Sequence, residues 1–435
     1  GVAVTAAELS AIGGATTGTV TVTNAVDITG DHDQLTAALV TAGTKVEVSD
    51  ATAIISDADG VAITAAELSE IGGATTGSVS VTNAVVITGD HDQLTAALVT
   101  SGTKVDVTDA AVTINDADAT SITAVELKRI GEKTTGIVTV ANAVAITGTT
   151  SEVTAALVTA GSLVVVNDAT VTITDIPSIS ALNAIAAKTT GVVTATLASA
   201  SLADLGALNT ASTDVITITV NDAANSTLQA TNLSALGGKT AGTVTLESAV
   251  IVQGTAAQIT AALVTESTKV VAGANNTQAD ILGSVSVQAG ADFNSINNVS
   301  ASFSAIEDTI SNLTNEAGNA ASANLIDVVG SDPDVNITVS DGDATAITAV
   351  QLSSVGGSTT GTVTVTNAVV ISGDHDQLTA ALITAGTNVE VTDAAVTIND
   401  ADATAITAAE LSAIGNVTTG TVTVTNAVAI TGDHD

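Results

Sequence analysis

Cysteine, methionine, tryptophan and tyrosine are all missing from this 435-residue chain, and Phe293 and Phe303 are its only Phe, Tyr or Trp residues. Without cysteine there is no disulfide framework and no thiolate metal site. Without aromatics there is little for sugar stacking or base stacking. Basic residues are also scarce: 8 Lys and Arg stand against 45 Asp and Glu, a net charge of -37 that repels phosphates and anionic headgroups and excludes nucleic-acid binding. Such a charge suits a salty exterior, where a Debye length of roughly 8 Å or less screens self-repulsion. Mean hydropathy is +0.50, yet Thr, Asp, Asn and Gly interrupt every apolar run well short of the roughly 18 to 20 residues of a spanning helix, so no membrane insertion is expected. Neither an initiator methionine nor a signal peptide is visible, and a fragment of a longer chain is expected.

What the chain has in abundance is small aliphatic residues, with 45% of positions apolar, and a strong internal repeat. The segment Thr5–Leu9 (TAAEL) returns 59 positions later at Thr64–Leu68, and again, as TAVEL, at Thr123–Leu127. Related copies stand at Thr348–Leu352 and Thr407–Leu411, with GDHD starting at Gly30, Gly89, Gly373 and Gly432 in the same register. Residues 1–177 and 332–435 form regular repeats, and 178–277 holds degenerate copies marked by Thr189-Thr190-Gly191 and Lys239-Thr240-Ala241-Gly242. Residues 278–331 fit the pattern poorly and read as a variant coil or a protruding insertion.

Each unit divides into similar halves, because aligning Leu9 with Leu35 superposes Val20 on Val46, Val22 on Val48 and Ile28 on Ile54. The coil is therefore about 30 residues long. Short helices are expected over 6–12 and 34–41, ended by Gly13 and Gly43, with a Thr5/Glu8 capping box on the first and Asp33 capping the second. Alternating segments such as 19–23 predict strands, with corners at Asn24-Ala25 and Asp50-Ala51. Two-turn helices need a surface to dock on, so the fold expected is an α/β repeat solenoid. Its parallel β-solenoid coils would each carry one short helix and two short strands, each strand pairing with its equivalent about 4.8 Å away, over a rod on the order of 70 Å. The alternative is a row of tandem small α+β modules; β-sandwich domains need about 100 residues and seven strands each.

Two acidic motifs repeat, and the acids in them are the candidate metal ligands. The first is D-H-D, with Asp31 and Asp33, Asp90 and Asp92, and Asp374 and Asp376, plus a further copy at Asp433. The second is D-x-D, with Asp57 and Asp59, Asp116 and Asp118, Asp341 and Asp343, and Asp400 and Asp402. Calcium takes 6 to 8 oxygens, and such carboxylates with loop carbonyls could supply several. The competing reading is solvated turns and helix caps. An EF-hand does not fit, since Ile55 occupies the first ligand position and Ala119, Ala344 and Ala403 replace Gly60. A transition-metal site at Asp31-His32-Asp33 is the second metal reading. Gly237-Gly238-Lys239-Thr240 resembles the end of a phosphate loop, but Leu233 stands where its first glycine belongs. Outward Thr19, Thr21 and Thr23 suggest an ice-binding ladder, which Lys45 and Glu47 would interrupt in the adjoining coil.

The repeats TAAELSAIGGATTGTVTVTNAV and GDHDQLTAALVTAGTKVEV resemble those of very long bacterial cell-surface proteins, particularly the Thr/Ala/Val- and Asp-rich arrays of marine cyanobacteria and related adhesins. The resemblance implies a secreted or surface setting and a scaffolding or adhesive task. Catalysis needs one preorganised constellation, whereas every polar motif here is copied along the chain, so an enzyme is not expected. The expectation is an extracellular structural protein forming a filament, surface-layer element or stalk, with calcium as its candidate cofactor. Its partners would be further copies of itself, with surface glycan or cell-envelope contact as a second possibility. The alternative is an adhesin repeat region presenting a binding module located elsewhere.

Overall fold

The computed structural model describes residues 3–432 apart from 103, 266–268 and 274–276. They belong to two compact units, one of Gly1–Ser199, Ala207–Ile218 and Lys239–Thr243, the other of Ala200–Gly206, Thr219–Gly238 and Val244–Asp435. Both are α/β repeats of short helices and short strands in open parallel sheets.

The first repeat shows the pattern. It runs β1 (Ala3–Thr5), α1 (Ala6–Gly14), β2 (Val20–Val22), β3 (Asp27–Gly30), α2 (His32–Leu35, continued as a π-helical turn over Thr36–Val40), β4 (Val46–Val48) and β5 (Thr52–Ile55). The next begins with β6 (Ala62–Thr64), α3 (Ala65–Gly73), β7 (Val79–Val81), β8 (Val86–Gly89), α4 (His91–Leu94), β9 (Val105–Val107) and β10 (Ala111–Ile114). Each 59-residue repeat thus holds two helices and five strands, one strand more than two equal coils would give. Helix starts alternate 26 and 33 residues apart, at Ala6, His32 and Ala65.

The extra strand changes the pairing. One five-stranded sheet runs β1-β3-β5-β7-β9. It begins with strands that precede helices, passes through the extra strand β5, and ends with strands that follow helices. Val20 pairs with Val46 and Val22 with Val48, as the half-repeat alignment predicts. Ile28, however, pairs with Ala53 and not Ile54. A one-residue slip exchanges the faces of a strand, and this register buries Ala53 and Ile55 while leaving Ile54 at an intermediate position.

The turn between β5 and β6 explains the varying glycine. Gly60, Ala119, Ala344 and Ala403 all adopt the left-handed region, at φ 80, 62, 61 and 63°. Each donates its N–H to a carbonyl in the following coil: Ala84, Ala143, Ala368 and Ala427 at 2.8 to 2.9 Å. The position is thus a turn between strands, and alanine occupies it at a steric cost. Ala119→Gly is expected to raise stability by about 0.5–1 kcal/mol, read as a higher urea midpoint at unchanged slope. A lower midpoint would show that chain entropy outweighs the relieved strain.

The helices dock through narrow apolar stripes: α3 buries Ala65, Leu68 and Ile71, and α4 buries Leu94. Burial of each such Leu or Ile contributes about 1.5–3 kcal/mol. The Thr5/Glu8 capping box forms as expected and recurs at Thr64, Thr123, Thr348 and Thr407. The second helix is capped by Asp31, not Asp33: Asp31 is extended and accepts from the Gln34 N–H at 2.8 Å, while Asp33 already lies inside the helix. Gly13 likewise lies within α1, whose cap is Ala15, and Gly43 follows the π-helical turn at φ 120°.

Residues 278–331 join the parallel sheets. The segments Thr277–Val285 and Val299–Asp308 pair with each other, shifting register between Ile281 and Ser284, where Gly283 turns left-handed at φ 86°. These are the longest described strands; Phe303 lies on the second of them and Phe293 on the intervening helix Val287–Asn294, both buried.

Candidate functional site: a repeated histidine-aspartate clasp

The two acidic motifs, 25 residues apart in sequence, meet in space. The backbone N–H of His32, the first residue of α2, donates to Asp57 Oδ2 at 2.7 Å, and the ring Nδ1 lies 2.7 Å from Asp57 Oδ1. A carboxylate only accepts, so Nδ1 carries the proton and Nε2 faces outward. The clasp recurs at His91 and Asp116 (2.8 and 2.6 Å) and at His375 and Asp400 (2.8 and 2.6 Å). The aspartate side chains are 4 to 5% exposed and the imidazoles 12 to 14%, so these bonds are largely shielded from water.

Where histidine is missing, the backbone half of the clasp survives. Asp175 accepts the Thr150 N–H, Asp222 that of Leu202, Asp308 that of Val287, and Asp341 that of Ile310. An acceptor carboxylate at the first free N–H of a helix compensates the positive end of its dipole. These four copies keep the backbone staple without the imidazole.

The remaining predicted site residues take separate tasks. Asp31, Asp90 and Asp374 are helix caps paired with Gln34, Gln93 and Gln377. Asp59, Asp118, Asp343 and Asp402 accept the N–H of Ala84, Ala143, Ala368 and Ala427 at 3.0 to 3.1 Å. Asn83, Asn142, Asn367 and Asn426 donate back to the carbonyls of Asp57, Asp116, Asp341 and Asp400. A cation at the D-x-D loops would compete with these N–H donors for the carboxylates. Asp33, Asp92 and Asp376 are 86 to 88% exposed, their carboxylates 3.5 to 3.7 Å from the Nε2 of the preceding histidine. The copy at Asp433-His434-Asp435 lies outside the described residues.

Glu67 joins this group although the sequence offered no reason to single it out. It is the capping-box acid of the next repeat, and its carboxylate, His32 and Asp33 lie within 4.8 Å of one another. Burial acts to lower the pKa of His32, but the Asp57 hydrogen bond and the charges of Asp57, Asp33 and Glu67 raise it above the ordinary histidine value. His91 is raised the same way by Asp116, Asp92 and Glu126. For His375 the Asp400 bond leads, with Asp400, Asp376 and Glu410 adding their charges. The Thr123 and Thr407 bonds lower the pKa of Glu126 and Glu410, and Thr64 and His32 lower that of Glu67 against its burial.

These shifts set opposite limits on stability. A raised histidine stabilises the fold below its unfolded pKa, near 6.5, and this contribution is lost as pH rises through the folded value. A depressed glutamate stabilises above its unfolded pKa, near 4.5, and this contribution is lost as pH falls through the folded value. In a chelating buffer the thermal midpoint is expected to peak between about pH 4.5 and 6.5 and to fall toward pH 8.5. The His32→Gln, His91→Gln, His375→Gln triple variant should lack the alkaline fall; an unchanged fall would place its origin elsewhere.

A second staple between neighbouring strand segments lies on the T-x-G segments. Thr134 donates its hydroxyl to Ala110 O at 2.5 Å and accepts from the Gly136 N–H at 2.9 Å. Thr75, Thr189, Thr240, Thr359 and Thr418 do the same with Ala51, Ala169, Ile216, Val335 and Ala394. The phosphate-loop-like Lys239-Thr240 is one of these staples: the Thr240 hydroxyl is buried against protein carbonyls. On the threonine strand, Thr21 pairs with Glu47, so a charge adjoins the ladder as expected.

No known family model matches the chain, and no curated protein is significantly similar to it. Among the described residues no helix is long and apolar enough to cross a membrane.

Proposed function

We propose that this chain is an extracellular structural repeat protein whose coils stack as a solenoid and whose task is mechanical: a filament, surface-layer element or stalk. One observation carries this reading. The repeated polar groups of the Asp57, Thr75 and Asp59 types are each engaged in tying one coil to the next, and they recur at equivalent positions in successive repeats. A catalytic or ligand-specific protein concentrates such groups in one place; an array that copies them is built for length and regularity. The net charge of -37 keeps such an array soluble and favours a salty, cation-rich exterior. Self-association through the repeats is part of the proposal, with calcium as an agent that would lower the repulsion between copies.

Electron microscopy of the purified protein in calcium and after chelation tests it. Particles that join into filaments in calcium and separate on chelation are the expected result. Unchanged single particles in both conditions would sink self-assembly, and the repeats would then be the stalk of an adhesin.

A further inference from the structure

Beyond its mechanical role, we propose that the first histidine clasp builds a binding site for a divalent transition-metal cation of the zinc type. The ligands are His32 Nε2, Asp33 and Glu67, whose ligand atoms lie within 4.8 Å of one another; the same residue types stand at His91, Asp92 and Glu126 and at His375, Asp376 and Glu410, where the three do not close to that spacing. The capping acid comes from the repeat after the one that supplies the histidine, so an ion would bridge consecutive repeats.

Three features point to a metal in preference to a plain ion pair. The first is the orientation of the imidazole: Asp57 holds Nδ1–H at 2.7 Å, which leaves Nε2 as the ring atom beside Asp33, with Glu67 in the same group. A carboxylate behind a ligating imidazole is the usual outer-shell partner that fixes the tautomer and raises basicity. The second is spacing. Nε2 lies 3.7, 3.6 and 3.5 Å from the aspartate Oδ1 in the three copies. That is too long for a hydrogen bond of about 2.7–3.0 Å, and close to the roughly 3.3–3.5 Å edge between two ligands about 2.0–2.1 Å from a tetrahedral zinc. The third is the glutamate. Both Thr64 donors, N–H and hydroxyl, go to Glu67 Oε2, and Thr123 and Thr407 treat Glu126 and Glu410 alike. The cap therefore holds the carboxylate in place through one oxygen and presents the other.

One imidazole with two carboxylates suits zinc, whereas calcium would need six to eight oxygens. The third regular repeat offers an internal contrast, since Thr150 stands where the histidine would be.

The test is calorimetric titration of chelator-stripped protein with zinc chloride, and in parallel with calcium chloride. The variant is Glu67→Gln, Glu126→Gln, Glu410→Gln. Glutamine serves as the capping partner at Thr348 and Gln351 in this same chain, so the helix starts should survive, and circular dichroism will show whether they do. The variant is expected to take up one equivalent of zinc fewer than the parent, or to bind it at least tenfold more weakly, with calcium heats unaffected. In the parent, zinc should also shift the Nε2 resonance of His32. A flat zinc titration, or zinc uptake that is the same in parent and variant, would overturn the assignment. So would a His32 resonance that stays fixed while zinc binds, since the ion would then sit on surface carboxylates.

Discussion

Asp116→Ala is expected to destabilise the protein by about 3–5 kcal/mol, because it removes the shared acceptor of two shielded hydrogen bonds. Two donors lose their acceptor at once: the His91 N–H at 2.8 Å and its ring Nδ1–H at 2.6 Å. Each buried unpaired group costs about 1–3 kcal/mol, and little water can reach them at a carboxylate 5% exposed. Asp116→Asn keeps one acceptor oxygen and should fall between the parent and the alanine variant. The control is Asp92→Ala, the residue next to the stranded amide in sequence but 88% exposed, where a change within about 0.5 kcal/mol is expected. Urea unfolding gives the magnitude. Because repeats can open one at a time, hydrogen exchange at the His91 amide gives the location. If Asp116→Ala and Asp92→Ala prove equally mild, the clasp does not hold the coils together.

The second large effect is expected at Gly136. A Cβ added there would lie 2.4 Å from the Ala110 carbonyl oxygen and 2.7 Å from its carbon and from Asp109 O. All three are backbone atoms of the preceding coil, so the clash cannot be relieved by turning a side chain. Forcing the two coils apart breaks the Thr134 staple and opens the core beneath it. Gly136→Ala should therefore cost about 3 kcal/mol or more, at or above the upper end of ordinary overpacking. Gly73→Ala supplies the contrast. Nothing lies within 4 Å of its Cβ position, and alanine is the better helix former, so that variant should be neutral or gain up to about 1 kcal/mol. Equal losses at both positions would mean that glycine is needed for chain flexibility and not for close approach.

Close approach also explains why the T-x-G segments persist where the rest of the repeat decays. In residues 178–277 the helices change sequence and GDHD disappears, yet Thr189 with Gly191 and Thr240 with Gly242 remain. Their hydroxyls still bond Ala169 O and Ile216 O at 2.6 and 2.8 Å. Helix faces accept many aliphatic residues of similar volume, whereas a backbone packed against a backbone accepts only glycine.

Much of this was legible from the chain itself. The 59-residue period, the α/β repeat, the Thr5/Glu8 cap and the pairing of Val20 with Val46 follow from local spacing, because capping and strand alternation act over a few residues and repeat with them. The extra strand at Thr52–Ile55 and the slip that sets Ile28 against Ala53 did not. The extra strand and its register depend on which neighbouring segment they meet, whereas the Asp31/Gln34 box is a local contact three residues apart that the D-x-x-Q spacing itself offered. The clasp, like the extra strand, depends on its neighbour. The two acidic motifs could be read as repeated, but the meeting of His32 with Asp57 and Glu67 belongs to coils brought side by side. The sequence by itself determined the period and the composition of the core. Only the tertiary structure decided which polar residues act as staples and which partner each one meets, because contacts across 20 or more residues are set by sheet register, and register is a property of paired strands and not of any one of them.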